Sequence, residues 1–344
     1  MTSVGIIGAS GYTGAELLRL CAHHPDLDVR VATGDSQAGA RIADLYPSVA
    51  GAYGDQVLEP TSAAICDGLD LVFLALPHGA SQAMVPELWG RVGKVVDLGA
   101  DFRLADASLY PTWYGEAHTC PELIADFAYG LPELYRDEVR AARAVAAPGC
   151  YVTAASLALA PLVRGGLVEP TGIVVDAASG VSGAGKGPKA TTAFCAVDED
   201  FTAYSLLTHR HTPEIEQNLS RLAGVPAQVL FTPHLAPMNR GILATCYGRP
   251  AAPVTTDDVL TAVGKAWADE PFVVVVDGSP STKATLGSNT VHVTARADDR
   301  TGWVVAIGAL DNLTKGASGQ AVQCANLMVG LPEATGLPTA GLFP

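Results

Sequence analysis

The stretch Val4-Gly5-Ile6-Ile7-Gly8-Ala9-Ser10-Gly11-Tyr12-Thr13-Gly14-Ala15-Glu16-Leu17-Leu18-Arg19-Leu20 decides the fold of this 344-residue chain. A short apolar run reads as a buried strand, three glycines follow at three-residue spacing, and a helical pattern begins at once. That is the strand–turn–helix context in which glycines let the backbone turn sharply and approach a pyrophosphate, which then sits on the unpaired N–H groups of the helix start. The spacing G-x-x-G-x-x-G is a variant of the usual G-x-G-x-x-G. Context, more than spacing, makes a dinucleotide the expected ligand, with Gly8, Gly11 and Gly14 making the turn.

Outward from this stretch, residues 4–7, 29–33, 69–76, 95–98 and 144–147 read as buried strands alternating with helical patterns, which predicts a parallel α/β sheet. Beyond residue 150 the pattern changes to longer β-rich runs at 173–178, 229–232, 242–247, 272–276, 291–296 and 304–310, with fewer helices between them. The expected fold class is therefore α/β: a Rossmann-type parallel-sheet domain plus an α+β domain with a mixed sheet. Residues 317–329 form an amphipathic helical pattern whose destination periodicity does not give. At 344 residues the chain exceeds the size at which one core usually stops growing, roughly 250–300 residues, so two domains are the default.

Composition narrows the function. Apolar residues make up 49% and charged residues 16%, with 36 glycines and 23 prolines spread along the chain, which fits a compact fold rich in turns. Thirty-five acidic residues against 21 basic give a net charge of −14 with no basic run, disfavouring nucleic acid and anionic membrane surfaces. A small-molecule partner is expected. The N-terminus lacks a basic leader and no apolar stretch reaches about 18 residues, so neither a signal peptide nor a membrane span is expected. Seven cysteines without a Cys-x-x-Cys pair fit a reducing, cytoplasmic setting.

Cys150 is the candidate nucleophile. Pro148-Gly149 make a turn before the apolar run 154–160, and a helix there would place the thiol at the positive end of its dipole, favouring thiolate. The alternative is a small buried hydrophobe. Eight histidines could supply a proton carrier, and His209 and His211 stand out, just ahead of a helix expected to begin with Thr212 as N-cap and Pro213 as first residue. Two histidines at i, i+2 also suit a metal, but no third ligand with metal-site spacing lies nearby. Arg103 follows a strand that ends on the cofactor side of the sheet, where it could clamp a carboxylate or phosphate or pair with Asp97, Asp101 or Asp106. Gly180 to Gly187 nearly matches an ATP-binding phosphate loop, but Gly187 stands where a hydroxyl residue is required. A loop over the nicotinamide end of the cofactor fits better, and Lys186 could meet a substrate anion. At the end of the second strand Asp35 could bind a ribose 2′-hydroxyl, whereas Ser36 and Arg41 could accept a 2′-phosphate, so NAD and NADP both stay open from the residues.

Together, Gly8-Ala9-Ser10-Gly11-Tyr12-Thr13-Gly14, Leu76-Pro77-His78-Gly79, Asp101-Phe102-Arg103-Leu104, Tyr129-Gly130-Leu131-Pro132-Glu133, Pro148-Gly149-Cys150-Tyr151, 179–185, His209-Arg210-His211-Thr212-Pro213-Glu214 and Asp311-Asn312-Leu313-Thr314-Lys315-Gly316 resemble the N-acetyl-γ-glutamyl-phosphate reductase family of arginine biosynthesis, related more distantly to aspartate-semialdehyde dehydrogenase. The resemblance spans nearly the whole chain. It implies Cys150 as nucleophile, forming a thioester with an acyl phosphate, and His209 as acid/base. It also implies NADP held by Gly8, Ser10, Gly11, Tyr12, Thr13, Gly14, Ser36, Leu76, Ser182, Gly183 and Asn312, with Arg103, Lys186 and Arg210 binding the substrate. The implied division is a cofactor domain of residues 1–147 and 312–344, completed by the returning last helix, and a catalytic and oligomerisation domain of 148–311. A homodimer or homotetramer is implied through the β-rich domain. Two departures stand out: Ala147 replaces the family's usual Asn, putting the source of oxyanion stabilisation in question, and Val152 replaces its usual Pro. The rival readings are a related acyl-phosphate reductase such as aspartate-semialdehyde dehydrogenase, a Cys-His hydrolase, and a non-catalytic NADP-binding sensor.

Overall fold

The structure is a computed structural model that describes residues 1–343. The chain forms two compact units, the first from Met1–Pro148 with Ala317–Leu337 and the second from Gly149–Gly316 with the segment starting at Pro338.

In the first unit six strands, β1 (Thr2–Ile7), β2 (Leu27–Ala32), β3 (Leu71–Leu74), β4 (Lys94–Asp97), β5 (Phe127–Tyr129) and β6 (Ala144–Ala146), form one sheet in the order β2-β1-β3-β4-β6-β5. Every pairing is parallel. All four residues of β3 are buried, as expected of a strand covered on both faces. The helix Gly319–Met328 packs on helices Tyr12–Ala22 and Pro132–Ala141 and on β4. All ten of its residues are buried, including Gln320, Gln323 and Asn326, because each amide has a partner. Gln320 Nε2 donates to the Gly130 carbonyl at 2.8 Å, Gln323 Nε2 to Glu133 Oε1 at 2.9 Å, and Asn326 Oδ1 lies 3.0 Å from His24 Nε2.

The second unit holds a seven-stranded mixed sheet made of β7 (Ile173–Gly180), β8 (Thr202–Ala203), β9 (Val229–Ala236), β10 (Ile242–Gly248), β11 (Val273–Val275), β12 (Val291–Asp298) and β13 (Trp303–Leu310), in the order β11-β12-β13-β10-β7-β9-β8. The β7·β9 and β11·β12 pairings are parallel and the rest antiparallel. One face packs on the helix Cys150–Arg164, in which every residue from Tyr151 to Val163 is buried. Helices His211–Ala223 and Thr256–Ala266 cover that helix further. Strand residues alternate accordingly: Val175, Ala177, Ala244, Cys246 and Ala306 are buried under the helix, while Val174, Leu243, Tyr247, Val305 and Ile307 on the other face are half-buried.

The division differs from the expected one at the C-terminal side. The 312–316 loop stays with the second unit because the buried Asp311 carboxylate accepts from Gly287 N at 2.7 Å and pairs with Arg240 at 3.1 Å. The tail also belongs there, with Asn289 N donating to Pro338 O and Leu342 N to Leu286 O, both at 2.7 Å. Only Ala317–Leu337 returns to the first unit. β5 and β8, three and two residues long, are edge strands that periodicity does not reveal.

At the carboxyl edge of the first sheet, two carboxyl groups sit in contrasting environments. Asp97 is fully buried; Oδ1 accepts from Ser81 Oγ (2.7 Å) and Gly99 N (2.9 Å), and Oδ2 has no hydrogen-bond partner. Burial, reinforced by the nearby Asp101 charge, pushes its pKa up to about 7. Burial acts against ionisation of Asp101 too, but His78 at 2.6 Å and the N–H groups of Gly79 and Gln82 outweigh it and hold that carboxyl below its usual range. For Asp97 the folded state binds its proton more tightly than the unfolded chain, so its contribution to stability falls as pH rises from the unfolded pKa through about 7. Asp97→Asn does not titrate. Its melting temperature relative to the unaltered protein should rise between pH 5 and pH 8 and level off above, by on the order of 2 kcal/mol of stability; a difference constant with pH would contradict the buried, protonated Asp97.

Candidate active site

In the first unit, β1 ends at Ile7 and the helix starts at Tyr12 with Gly11 as N-cap and no side-chain cap on its N–H groups. Gly8 takes φ 88°, and a Cβ there would overlap the Ala75 carbonyl; a Cβ on Gly11 would meet open space, with Gly8 O at 3.7 Å its nearest neighbour. The backbone is thus open to close approach where a pyrophosphate would lie, and the residues present fit a dinucleotide. Leu76 Cδ2 lies 3.5 Å from the same Gly8 position. Ser10, Thr13 and Gly14 line this turn, and Ser36 is exposed beyond β2, after Gly34, whose Cα faces Ser10. Arg41 is engaged with Asp44 (2.9 Å) and Asp55 (3.0 Å).

Arg103 lies in the same unit. Its Nε donates to Ala147 O at 2.8 Å and its Nη2 to Leu98 O at 2.9 Å, so it braces the ends of β4 and β6 through carbonyl oxygens, and its charge acts on Asp97, one of the expected partners. Ala147 N in turn donates to Asp97 O at 2.8 Å.

In the second unit Cys150 is the first residue of its helix, with Gly149 as an extended N-cap (φ −68°, ψ 147°). The first bond of the helical ladder runs from Thr153 N to Gly149 O at 2.9 Å. The partly exposed thiol therefore sits beside the N–H groups of the first turn. Two groups from the helix His211–Ala223 hold Gly149: the buried Glu214 carboxylate accepts its N–H at 3.0 Å, and the His211 imidazole occupies the place a Cβ would take. That helix begins at His211 with Arg210 as N-cap, two residues ahead of the expected N-cap Thr212 and first residue Pro213.

His209 and His211 lie ring to ring, centroids 4.7 Å apart, and both pack edge-on against Tyr151. His211 N donates to His209 Nδ1 at 3.1 Å, so neutral His209 carries its proton on Nε2. Burial, with the Arg210 charge beside it, lowers its pKa to about 4. Tyr204 packs on His209 and donates to Tyr151 Oη at 3.2 Å, and Tyr151 donates to His234 O at 3.0 Å.

A loop joins this corner to the glycine-rich segment. Asn312 accepts Gly241 N at 2.7 Å through Oδ1 and donates through Nδ2 to Ser182 Oγ at 3.0 Å. Gly316, further along the same loop, packs so closely that a Cβ would lie 2.8 Å from Cys150 Cβ. Val181–Ala184 forms a single 3₁₀ turn directly after β7; Gly183 and Lys186 are exposed, as is Arg210. Sequence reasoning missed Glu214, Tyr204 and the Asp311–Arg240 pair, since an acid inside an amphipathic helix and an Asp in a turn carry no local signal of burial.

Comparison with known proteins agrees with this architecture. Residues 3–142 match the semialdehyde dehydrogenase NAD binding domain and residues 150–312 the semialdehyde dehydrogenase dimerisation domain. An N-acetyl-gamma-glutamyl-phosphate reductase from Symbiobacterium thermophilum is 50% identical, over 98% of this chain and 98% of its own. Among solved structures, aspartate semialdehyde dehydrogenase II of Vibrio cholerae superposes with a TM-score of 0.71 at 16% identity, covering 96% of this chain and 98% of that one. Aspartate semialdehyde dehydrogenase from Candida albicans, solved with NADP, gives 0.70 at 14% identity, over 95% of this chain and 98% of that one. With a parallel-sheet cofactor unit, a mixed-sheet unit opening on a helix-start cysteine, and half its residues shared with such a relative, the chain belongs to the N-acetyl-gamma-glutamyl-phosphate reductase family of semialdehyde dehydrogenases.

Proposed function

We propose that this protein reduces N-acetyl-γ-glutamyl phosphate to N-acetylglutamate 5-semialdehyde and phosphate with NADPH, through a thioester on Cys150. The observation that carries the reading is the placement of Cys150 at the start of a buried helix, between Gly149, which packs on His211, and Tyr151, which packs on both His209 and His211, in a chain with a full-length relative of that name. The dinucleotide, when bound at the Gly8–Gly14 turn, supplies hydride. The Cys150 thiolate attacks the acyl carbon, and phosphate departs with the bonding electrons of the C–O bond. Reduction of the thioester leaves a thiohemiacetal oxyanion, and His209, neutral with its proton on Nε2, is the acid/base partner assigned to hydrogen-bond it, sharing that proton with the oxygen and taking it back on collapse. Collapse breaks the C–S bond, releases the aldehyde and restores the thiolate. Gly149 N–H is committed to Glu214 and Ala147 offers no side-chain donor, so oxyanion stabilisation falls to the N–H groups of the helix's first turn.

Lys186 and Arg210, both exposed cations of the second unit, are assigned to the substrate's anionic groups. Arg103 joins them by resemblance, with two donors already committed to carbonyls. Ser36, exposed just past β2, supports a 2′-phosphate and hence NADP; Arg41, held by Asp44 and Asp55, contributes less. Among the described residues no helix is long and apolar enough to cross a membrane. None of the seven cysteines is joined in a disulfide, which supports a cytoplasmic setting. The half-buried face of the second sheet, with Leu243 and Tyr247 of β10 and Val305 and Ile307 of β13 on the same side and Tyr247 paired with Val305, is the proposed surface for a homodimer or homotetramer.

N-acetylglutamate semialdehyde should drive phosphate-dependent reduction of NADP, aspartate semialdehyde should not, and Cys150→Ser should abolish the activity. The opposite substrate order would assign the chain to aspartyl chemistry. His209→Ala should lower turnover by roughly 10²–10⁴; the same loss from His211→Ala alone would transfer the proton role to His211. Ile307→Glu should leave far-ultraviolet circular dichroism unchanged and shift the mass in solution to that of one chain; an unchanged mass would place the interface elsewhere.

A further inference from the structure

Gly149 is gripped twice from one helical turn. The helix His211–Ala223 places its first residue, His211, over the Gly149 α-carbon and its fourth, Glu214, on the Gly149 N–H at 3.0 Å. Glu214 is wholly buried. One further turn along, Asn218, 1% exposed and on the same face, donates through Nδ2 to Ser156 Oγ of the Cys150 helix at 3.3 Å. Ile215 and Leu219, both fully buried, fill the same contact with apolar side chains. A buried carboxylate is costly unless its oxygens accept hydrogen bonds, so its presence at a helix contact that apolar side chains could fill asks for a reason beyond stability. Its position opposite the residue preceding the nucleophile supplies one.

We infer that Glu214 is a positioning residue: by accepting the Gly149 N–H it fixes the turn that aims the Cys150 sulfur and ties that turn to the helix bearing His211. The inference rests on Cys150 being the nucleophile, as proposed above. Glu214 acts through Gly149 and need not touch the substrate. The Gly149 N–H points at Glu214 while the Gly149 carbonyl accepts from Thr153 N at 2.9 Å, so the peptide planes on both sides of Gly149 are held and its φ and ψ, and with them the direction of the next side chain, have little freedom. A glycine without this restraint would wander, being the residue with the widest conformational range. A misplacement of about 1 Å at the reacting centre can cost about 10²-fold in rate.

Three variants separate position from charge. Glu214→Gln keeps an acceptor oxygen at the same reach and loses the charge. Glu214→Asp keeps the charge and withdraws the acceptor by about one C–C bond, ~1.5 Å. Glu214→Ala removes both. The measurements are kcat and KM for phosphate-dependent NADP reduction, and the rate at which iodoacetamide alkylates Cys150 at pH 7, read on the Cys150 peptide by mass spectrometry. A Cys195→Ser background removes the exposed second thiol. Glu214→Gln should stay within about threefold of the parent in every reading. Glu214→Asp and Glu214→Ala should lower kcat by about 10–10² with KM within threefold, and slow alkylation about tenfold, NADP affinity being unchanged. The inference is overturned if Glu214→Asp matches the parent, or if Glu214→Gln falls as far as Glu214→Asp, which would make charge the operative property. Should Glu214→Ala fail to fold by circular dichroism, the Gln and Asp pair decides. Alkylation needs no substrate: a parent that turns over neither semialdehyde would defeat the functional proposal and leave the Glu214 comparison intact.

Discussion

The helix Cys150–Arg164 has no side facing water between Tyr151 and Val163, and the second unit is arranged around that fact. A helix that is apolar all round must be enclosed. Here the sheet closes one side and helices His211–Ala223 and Thr256–Ala266 close others. Burial fixes the helix as a post, and its first turn emerges with the partly exposed Cys150 thiol held in a defined direction. The run Ala154-Ala155-Ser156-Leu157-Ala158-Leu159-Ala160 is rich in small residues, which lets neighbours approach closely: Trp267 Nε1 reaches the Leu157 carbonyl at 3.2 Å.

Buried polar groups do the complementary work of specifying geometry. Asp311 accepts from the N–H groups of Gly287, Leu313 and Thr314 and from Arg240, so one carboxylate organises the loop that reaches Ser182 through Asn312 and Cys150 through Gly316. In the first unit Asp101 does the same for the β3 and β4 loops. Each group is satisfied from several directions, which is the condition for tolerating a charge in the interior.

What could be read from the sequence follows from how each element is stabilised. The strands at 4–7, 173–178 and 304–310 are continuous or alternating apolar runs, so their pattern is local and the sheet class followed from it. The glycine turn was legible because strand, turn and helix are contiguous. The return of Gly319–Met328 came from the resemblance and not from periodicity, since Gln320, Gln323 and Asn326 are polar by sequence and buried only because Gly130, Glu133 and His24 receive them. That information is non-local. Likewise the resemblance supplied Cys150 and His209, but the contacts that fix them, Glu214 on Gly149 and His211 N on His209, join residues whose relation appears only once the helices are packed.

The order of the two units along the chain bears on how the protein is made. The sequence enters the first unit, leaves at Pro148, completes most of the second, and returns to the first only with Ala317–Leu337 before ending in the second. The surfaces of helices Tyr12–Ala22 and Pro132–Ala141 that receive Gly319–Met328 thus stay uncovered until that helix has been synthesised, about 180 residues after Ala141. At roughly 5–20 residues per second, that interval lasts on the order of ten to forty seconds on the ribosome. Neither unit is an autonomous stretch of sequence, and a chain truncated anywhere before Leu337 would leave both unfinished.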